Sequence, residues 1–228
     1  MKKLRAVVFD LDGTLTHFTI DYMAARREVI NKLISAGIPD SLVTENQRLM
    51  DIIKVAENFF NNTIKTPEKI PSIKKQIDYI ITSYEMDGAL KTDLIPGAKE
   101  LLIFLKQKKY KIGLFTLENK KTTNYILNKL SIRLYFDSVI TRDDVRDPKP
   151  HPEHLRMVLN QLNVSADEII VIGDHPIDFE CAKQLNALTI ALISGRHTKD
   201  ELFSSGANYA IKNLTDILEI VKKIELQH

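Results

Sequence analysis

AVVFDLDGTLTHF, residues Ala6 to Phe18, opens as a buried strand and stops on two acids. Ala6, Val7, Val8 and Phe9 form a short apolar run, Asp10 ends it, Asp12 follows two positions on, and Gly13 and Thr14 come next. Like charges so close repel unless a cation neutralises them. A lone Asp after a strand is usually a cap or a turn former. Two of them need a reason from elsewhere in the chain.

Downstream of about residue 97 the text alternates. Lys111–Thr116 (KIGLFT), the stretch within Phe136–Thr141 (FDSVIT), Glu168–Asp174 (EIIVIGD), Leu188–Ser194 (LTIALIS) and an edge segment Ala207–Ile211 read as strands. Helical patterns lie between and after them, over residues 97–108, 119–130, 152–162, 176–185 and 214–224. Short apolar runs separated by amphipathic helices predict an α/β fold, a Rossmann-like parallel sheet with helices on both faces.

Residues 16–92 break that rhythm. Ile20, Met23, Ile30, Leu33 and Ile34 share a helical face that closes at Gly37. Thr44 and Gln47 have capping-box spacing ahead of Leu49, Ile52, Ile53, Ala56 and Phe59. Ile73, Ile77, Ile80 and Tyr84 repeat the helical period. The expectation is an inserted all-helical cap domain, 16–92, within an α/β core made of 1–15 and 93–228.

In open α/β sheets ligands bind outside the carboxyl ends of the strands. The strand ends here carry Asp10 with Asp12, Thr116, a loop with Lys149, and Asp174 with Asp178 at the next helix start. Oxygen-only ligands suit a hard ion such as Mg2+, which uses one or two carboxylates, waters and a substrate phosphate. Lys149 supplies positive charge for a phosphate, Thr116 a hydrogen bond, and Gly13 a backbone that can turn and approach closely. A cation shared by Asp10 and Asp12 is the reason the opening stretch requires.

These residues resemble a known family. FDLDGTLT looks like the first motif of the haloacid dehalogenase-like hydrolases, Leu114–Thr116 the second, Lys149 in DPKP the third, and VIGDHPID the fourth, in family order across almost the whole chain. The helical insert sits where family members with a helical cap carry theirs, and the layout is closest to phosphatases of the phosphoglycolate type. The resemblance implies Asp10 as nucleophile, forming an aspartyl-phosphate and ligating Mg2+. It implies Asp12 as general acid and base, with its carbonyl on the metal. Thr116, Leu117 and Lys149 would hold the phosphoryl group, Asp174 would bind the metal, and Asp178 and Gly13 would support the site. The implied activity is Mg2+-dependent hydrolysis of a small phosphorylated metabolite. His175 follows Asp174 where Ser, Thr or Asn is frequent, and Glu118 adds negative charge near the phosphate site.

Two other readings use the same residues. A phosphomutase would pass the phosphoryl from Asp10 to a sugar instead of water. A binding or regulatory protein on this fold would be expected to have lost a catalytic position, and every position is filled. A haloacid dehalogenase does not need the second aspartate that Asp12 supplies.

Composition sets the outer bounds. The chain has 228 residues, 32 basic against 30 acidic, a formal net charge of +2 and 44% hydrophobic residues. The balance gives no nucleic-acid footprint, no apolar run reaches membrane-spanning length, and Ala6–Phe9 is far too short for a signal peptide, so a cytoplasmic protein is expected. Cys181 is the only cysteine and reads as a buried small side chain rather than a reactive thiol. Lys106–Lys111 (KQKKYK) reads as a solvated helix end. His151 and His154 read as surface groups, since two histidines without further ligands do not make a zinc site.

Overall fold

A computed structural model describes residues 3–63 and 70–226 of the chain. It forms two compact units: residues up to 18 together with those from 92 onward, and residues 19–91. The first unit holds a parallel sheet of β1 (Ala6–Phe9), β2 (Lys111–Phe115), β3 (Ser138–Ile140), β4 (Ile169–Gly173), β5 (Leu188–Leu192) and β6 (Tyr209–Ile211), in the order β3-β2-β1-β4-β5-β6. The helices are α1 (Tyr22–Ser35), α2 (Leu49–Thr63) and α3 (Ile70–Lys91) in the second unit, then α4 (Ala98–Gln107), α5 (Lys120–Lys129), α6 (Glu153–Leu162), α7 (Pro176–Lys183), α8 (Lys199–Ser204) and α9 (Ile217–Leu226) in the first.

Successive side chains of a strand point to opposite faces, yet Ala6, Val7, Val8 and Phe9 are all fully buried, so both faces of the sheet are covered. The strand order reverses beside β1, between β2 and β4, and in open α/β sheets ligands bind at the carboxyl ends beside such a switch point. Register makes those ends level. Phe9 pairs with Leu114 on one side and Ile172 on the other, and the Asp10 N–H donates to the Ile172 carbonyl at 2.9 Å. The segments leading out of and back into the sheet unit run side by side: the His17 N–H donates to Asp93 O at 2.9 Å and the Thr92 hydroxyl to His17 O at 2.7 Å.

The helical unit has its own core, in which Val29, Ile30, Leu33, Leu49, Ile52, Ala56, Phe60, Ile77, Ile80 and Ile81 pack together. Three local details differ from the sequence reading. The buried face of α1 is Ala25, Val29, Ile30 and Leu33, while Met23 and Ile34 are exposed. Helix α2 starts at Leu49, because Thr44 and Gln47 close a separate turn in which the Thr44 N–H donates to Gln47 Oε1 at 2.7 Å. Helix α8 lies between β5 and β6, opened by a capping box of Thr198 and Glu201. No helix among the described residues is long and apolar enough to cross a membrane.

Ile52 is fully buried in the helical unit. Ile52→Ala should cost about 2–5 kcal/mol of that unit's stability, read by chemical denaturation. A loss below about 1 kcal/mol would show that the cluster collapses around the gap.

Candidate active site

Five loops at the carboxyl edge of the sheet, those after β1 to β5, build the site. The first turns around the Leu11 carbonyl, which accepts from the N–H groups of Leu15 (2.9 Å) and Thr16 (3.0 Å). This turn leaves Asp10 buried and Asp12 half-buried, with the Thr16 hydroxyl donating to Asp12 Oδ1 at 3.3 Å. Gly13 has φ +89, and a Cβ there would fall on the Asp174 carboxylate. Glycine is therefore needed both for the backbone conformation and for the approach of β4's end.

Lys149 is the hub. Its Nζ donates to Asp10 Oδ1 at 2.6 Å and to Asp178 Oδ1 at 2.7 Å, and it lies 4.2 Å from the centre of the Phe115 ring. Asp178 is held in turn by helix α7, whose capping His175 N–H donates to its Oδ2 at 3.1 Å. Thr116 follows β2, and its hydroxyl oxygen accepts from the Glu118 N–H at 3.1 Å. The Leu117 carbonyl accepts from Arg142 Nη1 at 2.6 Å. Asp174 ends β4. Its Oδ2 accepts from the Ser194 hydroxyl at 2.8 Å and from Arg196 Nη1 at 3.3 Å, whereas its buried Oδ1 has no hydrogen-bond partner among the described residues.

One oxygen from each of Asp10, Asp174 and Asp178 lies within 4.8 Å of the others. These three carboxylates are paired with two cations, Lys149 to Asp10 and Asp178 and Arg196 to Asp174. The imbalance shows in the acidities. Burial first, then the charge of Asp10, pushes the Asp174 carboxyl up to about 6, against Arg196 and Ser194. Burial also pushes Asp178 up, opposed by Lys149 and reinforced by Asp10 and Asp174. Burial acts to lower Lys149, but Asp10 and Asp178 outweigh it and hold the ammonium above its ordinary value. Three clustered carboxylate oxygens, an orphaned buried Asp174 Oδ1 and a surplus of negative charge fit a divalent hard cation.

Sequence reasoning missed Ser194 and Arg196. Ser194 lies just past the end of β5, so the strand-end argument applied to that strand would have found it. Arg196, two residues on, packs its guanidinium 3.6 Å from the Phe18 ring centre. His154 is fully buried, which corrects its reading as a surface group; His151 is exposed and lies near Asp147 and Glu153. Buried Cys181 donates to His151 O at 3.2 Å, and burial pushes its thiol up to about 11.

A doubly wound sheet with a buried aspartate, a bridging lysine and an acidic cluster at its switch point has the arrangement of an α/β enzyme. The pattern of the haloacid dehalogenase-like hydrolases matches residues 7–192, and the chain belongs to that family. It is 29% identical to the glyceraldehyde 3-phosphate phosphatase of Methanocaldococcus jannaschii, over 97% of this chain and 99% of that one. It is 23% identical to the phosphoglycolate phosphatase of Vibrio cholerae, over 97% and 98%. Among solved structures, a hydrolase from Pseudomonas syringae shares the fold with a TM-score of 0.70 at 24% identity, over 96% of this chain and 99% of that one.

The raised Asp174 value carries a sign. Its folded value of about 6 stands above the ordinary 3.8, so its contribution favours folding at low pH and is lost as pH rises through 6. In metal-free protein near pH 8 the buried charge costs about 3 kcal/mol. Asp174→Asn should therefore raise the metal-free melting temperature near pH 8, with a gain that shrinks as pH falls from about 6 towards about 4. A lower melting temperature at both pH values would show that the Arg196 pairing outweighs the charge burden.

Proposed function

We propose that the chain is a Mg2+-dependent phosphatase that hydrolyses a small-molecule phosphate monoester through an aspartyl-phosphate on Asp10. The observation that carries this reading is the buried Lys149 bridge between Asp10 and Asp178, beside an Asp174 oxygen without a partner. The names of the relatives support phosphate ester hydrolysis. A two-carbon phosphate such as phosphoglycolate is the substrate class we assign.

Asp10, the Asp12 carbonyl and Asp174 would hold the ion, which when bound offsets charge on the phosphoryl oxygens and on the carboxylates around them. The Asp10 carboxylate attacks phosphorus, and the bond to the leaving oxygen breaks as Asp12 gives that oxygen a proton. Water then attacks the phosphorus of the acyl phosphate, losing a proton to Asp12, and Asp10 is released as a carboxylate. Lys149 and the Thr116 hydroxyl hold the phosphoryl oxygens, with the N–H of Leu117 as a further donor. Asp178 keeps Lys149 in place and Gly13 gives the first loop its path. The helical unit, inserted directly after the loop that carries Asp12, serves as the cap that selects substrates; its position lets it vary without disturbing the strands that hold the carboxylates.

Turnover of an aryl phosphate should require Mg2+ and stop with chelator; full activity in metal-free enzyme would refute the ion's role. The two acids of the first loop should fail differently. Asp10→Asn should form neither phospho-enzyme nor product. Asp12→Asn keeps the nucleophile but loses proton transfer, worth about 100- to 10,000-fold, and alkyl phosphates should suffer most. Acetyl phosphate needs little acid help, so Asp12→Asn should accumulate a phosphate adduct on Asp10, visible by intact mass. Wild-type hydrolysis of alkyl phosphates by Asp12→Asn would remove its acid–base role.

A further inference from the structure

We propose that His154 is a positioning residue for Lys149, tying the loop that carries the lysine to the end of β3 and so setting where the ammonium stands between Asp10 and Asp178. His154 sits in the first turn of α6 and is fully buried. Its Nδ1 accepts from the Lys149 N–H at 3.3 Å, and its Nε2 lies 3.2 Å from the Ile140 carbonyl. A carbonyl can only accept, so Nε2 carries the proton and Nδ1 is left bare for Lys149. The same Ile140 carbonyl accepts from the Thr116 N–H at 3.1 Å. One ring thus links the backbones of both residues assigned to the phosphoryl oxygens, Lys149 directly and Thr116 through a shared carbonyl.

Packing locks the arrangement. The His154 ring meets Phe115 edge-on, with centroids 5.7 Å apart, and Lys149 Nζ lies over that same Phe115 ring. Burial and the nearby Lys149 charge hold the imidazole down to about 3, so it stays neutral and keeps one tautomer across the working pH range. A histidine that merely filled the core would need neither nitrogen on a particular partner. Here each nitrogen has a separate task, and the two tasks can be separated by substitution. An Asn amide reaches about as far as Nδ1, and a Gln amide about as far as Nε2.

The inference rests on the reading of Lys149 as a holder of the phosphoryl group, and the full chain tests both together. Both His154→Asn and His154→Gln lose one buried hydrogen bond, so their melting temperatures should fall by similar amounts. His154→Asn keeps the acceptor for Lys149 and should retain kcat close to wild type. His154→Gln frees the Lys149 loop, and kcat for an aryl phosphate should fall about 10- to 100-fold. Equal losses of kcat in the two variants, or losses that track stability, would overturn the positioning role. Long-range proton–nitrogen NMR of the wild-type protein decides it even if a variant fails to fold. The ring should remain the neutral Nε2–H form from about pH 8 to about pH 5; an Nδ1–H or doubly protonated ring removes the link to Lys149. Undiminished turnover by Lys149→Met would instead sink the reading of Lys149 itself, leaving the tautomer result to stand alone.

Discussion

The Lys149 ammonium, buried between Asp10 and Asp178 at 2.6 and 2.7 Å, is the interaction on which the arrangement of the site depends. Burying one charge is expensive unless it is paired and hydrogen-bonded. Here a single cation satisfies two carboxylates that come from different parts of the chain, one at the end of β1 and one in the first turn of α7. Removing a partner from such a cluster leaves an uncompensated buried charge, typically a loss of about 3–5 kcal/mol. The pairing therefore joins two loops and the start of α7 as well as neutralising their charges.

Topology is what lets these charges meet. Because β1 is flanked by β2 and β4 with level register, residues just past Phe9, Phe115 and Gly173 arrive at one edge. Close approach then needs missing side chains. A Cβ on Gly13 would strike Asp174, and one on Gly173 would strike Asp178. The two glycines are the steric counterpart of the two acids: they make room for a density of carboxylates that only cations can stabilise. Arg196 and Ser194 hold Asp174 by one oxygen and leave the other without a donor among the described residues, so orientation of that acid comes from the loop after β5.

What could be read in the linear text was whatever local chemistry makes unusual. Asp10 and Asp12 break an apolar run, Asp174 ends the strongest one, and Gly13 follows the acids; each is visible within a few residues. The parallel sheet was legible because fully buried strands are continuous apolar words. Less was legible where partners are distant in sequence. His154 looks like a surface histidine beside His151, since its acceptor role depends on a loop five residues back and its donor role on a carbonyl fourteen back. Arg196 is one more charge in a polar loop until Phe18 and Asp174 are placed beside it. In the insert, the stripe that buries Val29 and Leu33 competes with a parallel stripe through Met23 and Ile34, and only packing against the neighbouring helices decides between them.

The same geometry explains why the site is costly to the fold. Burial and mutual repulsion raise Asp174 and Asp178, so ionising them works against the folded state unless positive charge is near. Lys149 compensates one flank and Arg196 part of the other, and a surplus of negative charge remains where a phosphate ester would also bring its own. A carboxylate cannot approach a phosphate in that field without a further cation. On the proposed reading, this repulsion is what a divalent ion held by Asp10 and Asp174 would relieve, and that relief would let the Asp10 carboxylate approach an anion. Stability given up at the strand ends would then be recovered when such an ion binds.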